Sequence, residues 1–390
     1  MYAYSTSSNI YIKGGDIILD AGKFLEIIET LGDTFYTGVP DSLLSPFIDK
    51  VMEQYGVSDK HIVAANEGAA VGLAAGHYLA TSRPAIVYMQ NSGIGNTINP
   101  ICSLLHEKVY NIPVVFVIGW RGEPSTKDEP QHVFQGEATL SLLDCLEIPY
   151  VVVGKDSNLT DTIDSFRKHL EAGKSVAFVI RKDALTNNNK MKYASSAPLS
   201  REQALETILE RSTDKDIYVC TTGKLSREVF EIRKQANKGH GHDFLTVGSM
   251  GHSLAIAHGI AIAKPEKKIW CLDGDGAILM HMGTMAVVSV HSPKNLIHVV
   301  INNGAHETVG GLPAVSTNLN LSELALAMGY NKVFRLNNQE DLSNILYEIN
   351  GEECPVFIEI ICNLTSRADL GRPTNTPIEN KNALMSVLSK

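Results

Sequence analysis

The sequence has no basic excess and no long apolar run. Its 34 lysines and arginines are outnumbered by 43 aspartates and glutamates, which gives a formal net charge of −9. Proteins that bind nucleic acid usually have a basic surplus or a basic block, so we expect no nucleic-acid partner. No apolar run reaches about 18 residues, the length that a membrane span requires, so we expect no membrane partner. The first residues also lack a charged segment followed by an apolar core, which argues against a signal peptide.

The sequence also lacks a CxxC pair, although it contains six cysteines. Zinc ribbons and thioredoxin-type motifs need such pairs, so the cysteine spacing indicates neither. Most of the cysteines stand in apolar, strand-like surroundings. This pattern predicts buried free thiols in a reducing compartment, the cytoplasm. The six are Cys102, Cys145, Cys220, Cys271, Cys354 and Cys362.

The apolar runs are short and recur along the whole chain. With 390 residues, of which 44% are hydrophobic and 20% charged, the chain is expected to be globular with more than one core. The runs are rich in β-branched residues without strict alternation, as in parallel strands that are buried on both faces. Helical stretches, such as 69–81 and 200–211, lie between them. This alternation predicts doubly wound α/β domains with parallel sheets. The clearest predicted strands are 34–38, 61–65, 85–90, 114–119, 176–181, 216–221, 268–272, 297–302 and 355–361.

One segment interrupts the alternation of strands and helices. Residues 183–199 contain three consecutive asparagines from Asn187, several serines and Pro198, without apolar periodicity. Such a composition is typical of a linker between domains. The sequence therefore predicts two α/β domains, residues 1–182 and 200–390, on either side of this linker.

Two helical segments have small residues at every fourth position, which places them on one helix face. Such a face lets another helix approach closely. The partner is either the sheet of the same domain or a second domain or subunit, and the spacing alone leaves both open. The two rows are Gly68, Gly72 and Gly76, and Gly251, Ala255 and Gly259.

The strongest chemical signal follows two predicted strands of the second domain. Gly274-Asp275-Gly276 follows the strand 268–272, and Asn303 follows the strand 297–302. Glycines at a strand end let the backbone approach a ligand and turn N–H groups towards phosphate oxygens. The Asp275 carboxylate and the Asn303 carbonyl are hard oxygen ligands of the kind that Mg²⁺ prefers, at the strand ends where α/β sheets bind ligands. A GDG sequence alone also forms ordinary turns, but GDG followed by NNG at strand spacing is much more specific.

Two further residues each leave two interpretations open. Glu67 stands between an apolar strand and an apolar helix. It is either an exposed glutamate at a helix N-terminus, stabilised by the macrodipole, or a buried acid that shares a proton with a ligand's ring nitrogen. Met250 is either core filler or an apolar wedge beneath a bent cofactor.

Together these segments resemble the thiamine-diphosphate enzyme superfamily, in which GDG…NN is the Mg-diphosphate motif. The order of a glutamate domain followed by a GDG domain is similar to that of its decarboxylase branch. The linker is too short to hold the middle domain of the larger members, which fits the small phosphonopyruvate and sulfopyruvate decarboxylases. The segments that carry this closer resemblance are 38–42, 91–96, 121–124, 128–132 and 274–284.

The resemblance implies an enzyme that uses Mg²⁺-held thiamine diphosphate to remove CO₂ from a small 2-oxo acid. Glu67 would pair with the pyrimidine ring, Met250 would be the wedge, and the Gly248 carbonyl would accept from the amino group of that ring. The implied metal ligands are Asp275, Asn303 and the backbone carbonyl of Ala305. The implied diphosphate contacts are Thr222, Gly223, Gly274, Gly276 and Ala277.

The substrate side chains are less well defined by the sequence. Asp41 would relay a proton, or is a turn residue after Pro40, and His106 or His132 could serve instead. For a phosphonate group, the candidate partners are Ser42, Asn91, Arg121 and Lys127. Arg121 suits bidentate binding of a phosphonate, although it could equally be an exposed loop cation.

The assembly and the substrate leave further alternatives open. The resemblance implies at least a homodimer with active sites shared between subunits. The substrate carries either a phosphonate or, in the second interpretation, a sulfonate. In a third interpretation, the protein is a non-catalytic phosphate- or nucleotide-binding module, in which GDG acts only as a turn.

Overall fold

The computed structural model describes residues 19–155, 157–191, 193, 195–349 and 355–390. The chain divides into two compact units, Met1–Met191 and Lys192–Lys390. This division falls inside the segment 183–199, for which the sequence predicts a linker. Cys354 and the beginning of the predicted first domain lie outside the described residues.

A six-stranded parallel sheet forms the centre of the first unit. The strands of this unit are β1 (Leu19–Asp20), β2 (Tyr36–Gly38), β3 (His61–Val63), β4 (Ile86–Gln90), β5 (Val115–Gly119), β6 (Tyr150–Val153), β7 (Val176–Ile180) and β8 (Leu185–Thr186). The central sheet has the order β3-β2-β4-β5-β7-β6, while β1 and β8 pair separately. Every residue of β5 and β7 is buried, as expected of strands that are covered on both faces.

Helices cover this sheet, and polar side chains mark where several of them begin. They are α1 (Ala21–Glu29), α2 (Ser45–Tyr55), α3 (Glu67–Thr81), α4 (Ile94–Pro100), α5 (Pro130–Cys145) and α6 (Thr160–Glu171). The Asp20 side chain begins α1 by accepting from the backbone N–H groups of Gly22 and Lys23. The Asn66 side chain begins α3 in the same way, with the Ala69 N–H donating at 2.8 Å. These caps satisfy N–H groups that the helices themselves leave unpaired.

A second six-stranded parallel sheet forms the centre of the second unit. The strands here are β9 (Ile217–Cys220), β10 (Asp243–Leu245), β11 (Ile269–Gly274), β12 (Leu296–Asn302), β13 (Ala305–His306), β14 (Leu312–Pro313), β15 (Lys332–Leu336) and β16 (Val356–Ile361). The sheet order is β10-β9-β11-β12-β16-β15, and β13 and β14 form a short antiparallel pair.

The helices of the second unit begin at similar caps. They are α7 (Arg201–Arg211), α8 (Lys224–Gln235), α9 (Ser253–Ala263), α10 (Asp275–Met280), α11 (Gly283–His291), α12 (Leu321–Ala327), α13 (Gln339–Glu348) and α14 (Pro377–Leu388). Capping boxes start α7, where Ser200 pairs with Gln203, and α14, where Thr376 pairs with Glu379.

The two central sheets have the same strand order. Counted along the chain within each sheet, both run second-first-third-fourth-sixth-fifth. The strand order therefore reverses between β2 and β4 in the first unit and between β9 and β11 in the second. In doubly wound sheets, ligands bind at this reversal, outside the carboxyl ends of the strands. The predicted fold class, two doubly wound parallel-sheet domains without a middle domain, is confirmed.

All nine predicted strands are present, with ends that differ by a few residues, but three strands of the central sheets were missed. These are β6, β10 and β15, and each lies at an edge of its sheet. Two of them contain charged residues, as the sequence Lys-Val-Phe-Arg-Leu of β15 illustrates, so they lack the continuous apolar character that identified the central strands. β6 is apolar but only four residues long and partly exposed, and its sequence gives no comparable reason.

The predicted rows of small residues differ in their surroundings. A Cβ at Gly68 would lie 2.9 Å from the Asn96 carbonyl oxygen, so this glycine packs closely within its own unit. No described atom lies within 4 Å of the Cβ position of Gly72 or Gly76. Gly251 precedes α9 and has φ 88°, so the prediction that it lies in the helix is wrong.

The prediction of buried free cysteines is only partly confirmed. Cys220, Cys271 and Cys362 are buried free thiols, but Cys102 and Cys145 are exposed, so the prediction of buried thiols is wrong for these two. Within the described parts of the chain, no helix is both long and apolar enough to cross a bilayer.

Candidate active site

Glu67 is the first residue of α3, after the loop that follows β3. It is only 5% exposed, and Asn96 Nδ2 donates to its Oε2 at 2.7 Å. Gly93 allows this arrangement, because a Cβ at position 93 would lie 2.6 Å from Glu67 Cγ. Of the two interpretations that the sequence allowed, the structure therefore favours a buried acid, held in place by Asn96.

Asp41 follows β2 and is also buried, with an exposed fraction of 2%. Its Oδ2 accepts from the backbone N–H groups of Leu43 and Leu44 at 3.1 and 3.3 Å. A Cβ at Gly119 would overlap this oxygen, so the end of β5 approaches Asp41 closely only because the residue is glycine. Burial raises the pKa of Asp41 to about 6, although Arg121 and the neighbouring N–H groups favour the charged form.

This raised pKa predicts that Asp41→Asn stabilises the cofactor-free protein at high pH. The folded protein holds the Asp41 proton more tightly than the unfolded chain, so the stabilising contribution present at low pH is lost as the pH rises through about 6. An uncharged Asn avoids that loss. We expect a gain of at most about 3 kcal/mol at pH 8, shrinking towards zero near pH 4. Thermal unfolding of both proteins at several pH values measures it, and an equal effect at all pH values would contradict it.

Arg121 follows β5, and Asp128 holds it by two parallel hydrogen bonds. Arg121 Nε and one terminal nitrogen donate to the two Asp128 carboxylate oxygens at 2.9 and 2.6 Å, while the other terminal nitrogen donates to Ser42 Oγ at 2.9 Å. Burial alone would raise the pKa of Asp128, but hydrogen bonds from Arg121 and His132 hold that pKa well below its usual range. The guanidinium is therefore fixed beside Ser42, with two of its five N–H groups left for a ligand.

The other residues of the first unit that the sequence offered as substrate or proton-transfer residues differ in exposure and in their hydrogen-bond partners. Asn91 follows β4, and its Nδ2 donates to the Arg121 carbonyl and to Thr139 Oγ1 at 2.8 and 2.9 Å. These bonds occupy both N–H groups of the amide, so Asn91 supports the Arg121 backbone in this conformation. Lys127 is exposed in the loop between Arg121 and α5. His132 Nδ1 donates to Asp128 at 2.8 Å, whereas His106 pairs with Glu147 on the surface.

In the second unit, Asp275 follows β11 and is 4% exposed. Ser316 donates its hydroxyl to Asp275 Oδ2, and the nearby N–H groups of Gly276 and Gly304 also favour the charged form of the carboxylate. Burial nevertheless raises the pKa of Asp275 to about 6, because these hydrogen bonds only partly replace its lost hydration. A bound cation would favour the charged form of this carboxylate, so the position suits a metal ligand.

Asn303 lies in the loop after β12, and Ala305 is the first residue of β13; both are close to the Asp275 turn. Asn303 Nδ2 donates to Glu307 Oε2 at 3.1 Å, and Asn303 Oδ1 accepts from the Ala305 N–H at 3.1 Å. Gly304 of this loop lies close enough to Asp275 for its N–H to lower the pKa of that carboxyl, although this N–H donates to Asn302 Oδ1 at 3.1 Å. One carboxylate, one amide oxygen and one carbonyl oxygen thus belong to two adjoining loops, a donor set that fits Mg²⁺ and leaves positions for phosphate oxygens.

Met250 and Gly276 also lie together, as the wedge interpretation requires. A Cβ at Gly276 would lie 3.5 Å from Met250 Cε and 3.5 Å from His306 Cε1. Met250 is half-buried, in the loop after β10 that also contains Gly248. Burial lowers the pKa of His306 to about 4, so this neighbour of Met250 is neutral at physiological pH.

The loop after β9 contains Thr222 and Gly223, which has φ 98°. Thr308 Cγ2 lies 3.7 Å from the Cβ position of Gly223, so this loop adjoins the one after β12. Thr221, at the end of β9, has a buried hydroxyl without a hydrogen-bond partner among the described residues. Thr221 Cγ2 also lies 3.8 Å from the Cβ position of Gly274, so the end of β9 brings this polar residue next to the Asp275 turn.

The buried side chain of Asp273 is hydrogen-bonded to the backbone just before the Asp275 turn. Asp273 Oδ1 accepts from the Gly274 N–H at 2.9 Å, so that N–H group already has a partner. Asp273 Oδ2 lies 3.8 Å from His298 Nε2, an ion pair when the histidine is protonated. Both residues are almost fully buried, and the hydrogen bond from the Gly274 N–H ties Asp273 to the backbone of the turn.

Sequence analysis missed the partners that hold these groups. Asn96 fixes Glu67, Ser316 fixes Asp275, Asp128 fixes Arg121, and Glu307 fixes Asn303. Two of them, Asn96 and Asp128, stand in segments that carry the family resemblance, so the resemblance could have indicated them. For Ser316 and Glu307, the sequence offers no comparable signal.

Comparison with known proteins identifies the family. Residues 221–360 match the C-terminal TPP binding domain of the thiamine pyrophosphate enzymes, and residues 21–143 match the N-terminal TPP binding domain. The chain is 32% identical over 380 residues to phosphonopyruvate decarboxylase of Streptomyces viridochromogenes, with 93% of each chain covered. It is 30% identical over 386 residues to the phosphonopyruvate decarboxylase of Streptomyces hygroscopicus, covering 93% of this chain and 92% of that relative.

A more distant relative is sulfopyruvate decarboxylase of Methanosarcina acetivorans. The identity is 24% over 363 residues, which covers 87% of this chain and 90% of the relative. The chain therefore belongs to the thiamine pyrophosphate enzymes, in the group that contains the phosphonopyruvate decarboxylases.

Proposed function

We propose that this enzyme converts phosphonopyruvate into phosphonoacetaldehyde and CO₂, using Mg²⁺ and thiamine diphosphate. The observation that carries the proposal is the similarity to two phosphonopyruvate decarboxylases, at 30% and 32% identity, along nearly the whole chain. Sulfopyruvate is the second candidate substrate, because one sulfopyruvate decarboxylase is also similar over most of the chain, at 24% identity. The carboxy-lyase class is common to both.

In the second unit, Asp275, Asn303 and the Ala305 carbonyl bind Mg²⁺. The support for this role is the donor set described above and the burial of Asp275, whose negative charge a divalent cation compensates. Thr222, Gly223, Gly274, Gly276 and Ala277 contact the diphosphate, chiefly through the backbone. An acidic protein, with net charge −9, thereby binds a polyanion through a metal and local N–H groups rather than through a basic surface.

When bound, thiamine diphosphate supplies an electron sink for the electron pair that is released as CO₂ leaves. The protein orients the coenzyme and manages protons. Met250 would pack against the coenzyme as an apolar wedge, and the Gly248 carbonyl would accept from its pyrimidine amino group. Glu67, which is buried and held by Asn96, would share a proton with the pyrimidine ring nitrogen.

On the substrate side, Arg121 binds the phosphonate, with Ser42 beside it and Lys127 and Asn91 nearby. The support is the fixed position of the guanidinium, which Asp128 and Ser42 hold at hydrogen-bond distance. Asp41 transfers a proton close to the reacting carbon, since its pKa of about 6 allows both protonation states near neutral pH.

The role of Arg121 predicts a specific effect of Arg121→Lys on substrate binding. Lysine keeps the charge but cannot bind a phosphonate bidentately or keep both bonds to Asp128. A lost charge-assisted hydrogen bond is worth about 1.5–3 kcal/mol, so we expect the KM for phosphonopyruvate to rise about 10- to 100-fold. Arg83→Lys, at a 62% exposed side chain, is the matched control and leaves KM unchanged. An unchanged KM in Arg121→Lys would assign the phosphonate to other side chains.

A substrate panel tests the proposed reaction. Purified enzyme with thiamine diphosphate and Mg²⁺ is given phosphonopyruvate, sulfopyruvate or pyruvate, and the release of CO₂ and of the matching aldehyde is measured. We expect the highest kcat/KM with phosphonopyruvate. A higher kcat/KM with sulfopyruvate would favour the second candidate, and no turnover of either would refute the proposal.

The active assembly is at least a homodimer with active sites shared between subunits. In the first unit, α3 exposes Leu79 at 73% and leaves open space beside Gly72 and Gly76. In the second, α9 exposes Ile262 at 56% and α11 exposes Val290 at 82%. Exposed apolar side chains grouped on helices are typical of subunit interfaces. Sedimentation of the purified protein tests this, and a monomer at micromolar concentration would contradict it.

A further inference from the structure

Glu307 accepts hydrogen bonds from residues of two different segments of the second unit. Its Oε2 accepts from Asn303 Nδ2 at 3.1 Å, and its Oε1 accepts from Lys224 Nζ at 2.9 Å. Lys224 directly follows Gly223, in the loop after β9, whereas Asn303 belongs to the loop after β12. The carboxylate therefore joins the loop proposed to bind diphosphate to the loop proposed to bind metal.

A buried arginine holds Glu307 in this position. Arg201, with a side chain 7% exposed, donates to Glu307 through one terminal nitrogen. Its Nε and other terminal nitrogen donate to the two carboxylate oxygens of Glu228, which is fully buried. The Glu307 side chain is itself only 9% exposed, and it forms ion pairs with both Arg201 and Lys224. Glu307 is thus a charged acceptor with a fixed location.

A charged acceptor decides which way the Asn303 amide points. An amide has a donor end and an acceptor end of almost the same shape, so space alone does not select between the two orientations. A carboxylate accepts hydrogen bonds and cannot donate them. Glu307 therefore attracts the NH₂ end of Asn303, and the carbonyl oxygen is left on the other side, where it now accepts from the Ala305 N–H.

We infer that Glu307 is a positioning residue for the metal site. Its carboxylate orients the Asn303 amide so that Oδ1 is available to Mg²⁺, and Arg201 and Lys224 hold the carboxylate in place. Partners that orient metal ligands contribute about 10- to 100-fold to metal affinity. The inference rests on the proposed function, because it assumes that Asn303 is a ligand of Mg²⁺.

The first test is the Mg²⁺ affinity of Glu307→Gln, measured by titration calorimetry in the presence of thiamine diphosphate. Glutamine has nearly the same shape but can both donate and accept, so it no longer selects one amide orientation. We expect the Kd for Mg²⁺ to rise at least about 10-fold, and a smaller rise would overturn the inference. Glu231→Gln is the matched control and leaves the Kd unchanged. Glu231 also pairs with an arginine of this unit, Arg367, but its other hydrogen bond is to the Gly371 N–H.

Repeating the Glu307→Gln substitution in an Asn303→Asp variant shows whether Glu307 orients the residue 303 side chain or only stabilises the fold. In Asn303→Asp the ligand has no donor end, so nothing remains for Glu307 to orient, and two carboxylates face each other. Adding Glu307→Gln to Asn303→Asp then leaves Mg²⁺ binding unchanged or strengthens it. An equal loss in both backgrounds would mean that Glu307 only stabilises the fold, which would overturn the inference.

The wild-type protein distinguishes this inference from the proposed function. If wild-type enzyme bound thiamine diphosphate equally well with and without Mg²⁺, the proposed function and this inference would fail together. If wild type needed Mg²⁺ and Glu307→Gln bound it equally well, the inference alone would fail.

Discussion

Replacing Glu67 by Gln lowers the rate of CO₂ release from phosphonopyruvate by about 10²- to 10⁴-fold, the usual contribution of a positioned acid or base. Glutamine cannot exchange a proton with the ring nitrogen at neutral pH. Its carbonyl oxygen can still accept from Asn96, which donates to Glu67 at 2.7 Å, so the local structure is retained. We therefore expect the affinity for thiamine diphosphate and Mg²⁺ to change by less than about threefold, because the proposed diphosphate and metal contacts all lie in the second unit and the introduced glutamine can still hydrogen-bond the ring.

Steady-state turnover and calorimetric titration of the coenzyme measure the two effects of Glu67→Gln separately. Glu26→Gln makes the same chemical change at an exposed position of α1, and leaves both quantities unchanged. If Glu67→Gln kept more than a tenth of wild-type turnover, Glu67 would not be the acid that tunes the coenzyme.

The substitution Asp275→Asn is expected to weaken Mg²⁺ binding strongly. Asp275 is the only anionic side chain in the proposed ligand set, and removal of a ligand itself costs more than the 10- to 100-fold typical of its supporting partners. We expect the Mg²⁺ concentration for half-maximal activity to rise by about 100-fold or more. Asparagine keeps an oxygen that can accept from Ser316, so the turn is expected to keep its structure.

Aldehyde formation at increasing Mg²⁺ concentrations measures the effect of Asp275→Asn. Ser316→Ala is the graded control: it leaves the carboxylate but removes a hydrogen bond that orients it, so we expect a rise of about 10-fold. Unfolding temperatures in the absence of metal show whether either variant affects the fold. Equal Mg²⁺ requirements for wild type and Asp275→Asn would place the metal elsewhere.

Local sequence patterns were sufficient to predict the central strands of both sheets and the strand ends near which several candidate residues lie. Glu67, Asp275 and Asn303 each stand next to a buried parallel strand, and the carboxyl ends of such strands lie at one edge of a sheet. A residue in this position can therefore be assigned to the ligand-binding edge before any contact is known. The edge strands β10 and β15 were missed because charged residues interrupt their apolar runs. The edge strand β6 is a short apolar run, so this reason does not apply to it.

The supporting partners could not be predicted in the same way. Ser316 is 41 residues from Asp275, and Asn96 is 29 residues from Glu67, so only the folded chain brings each pair together. Arg121 shows the same limit, since its charge was visible in the sequence but its two bonds to Asp128 were not. Periodicity reports which face of an element is buried, but not which polar side chains meet there.

The most direct test of the proposed reaction is withdrawal and return of both cofactors. The enzyme is stripped of metal and coenzyme, and CO₂ and phosphonoacetaldehyde from phosphonopyruvate are measured after addition of thiamine diphosphate, Mg²⁺ or both. We predict no turnover with either alone and full turnover with both, at one CO₂ for each aldehyde. Equal turnover by the stripped protein, or none when both are restored, would contradict a decarboxylase that depends on thiamine diphosphate and Mg²⁺.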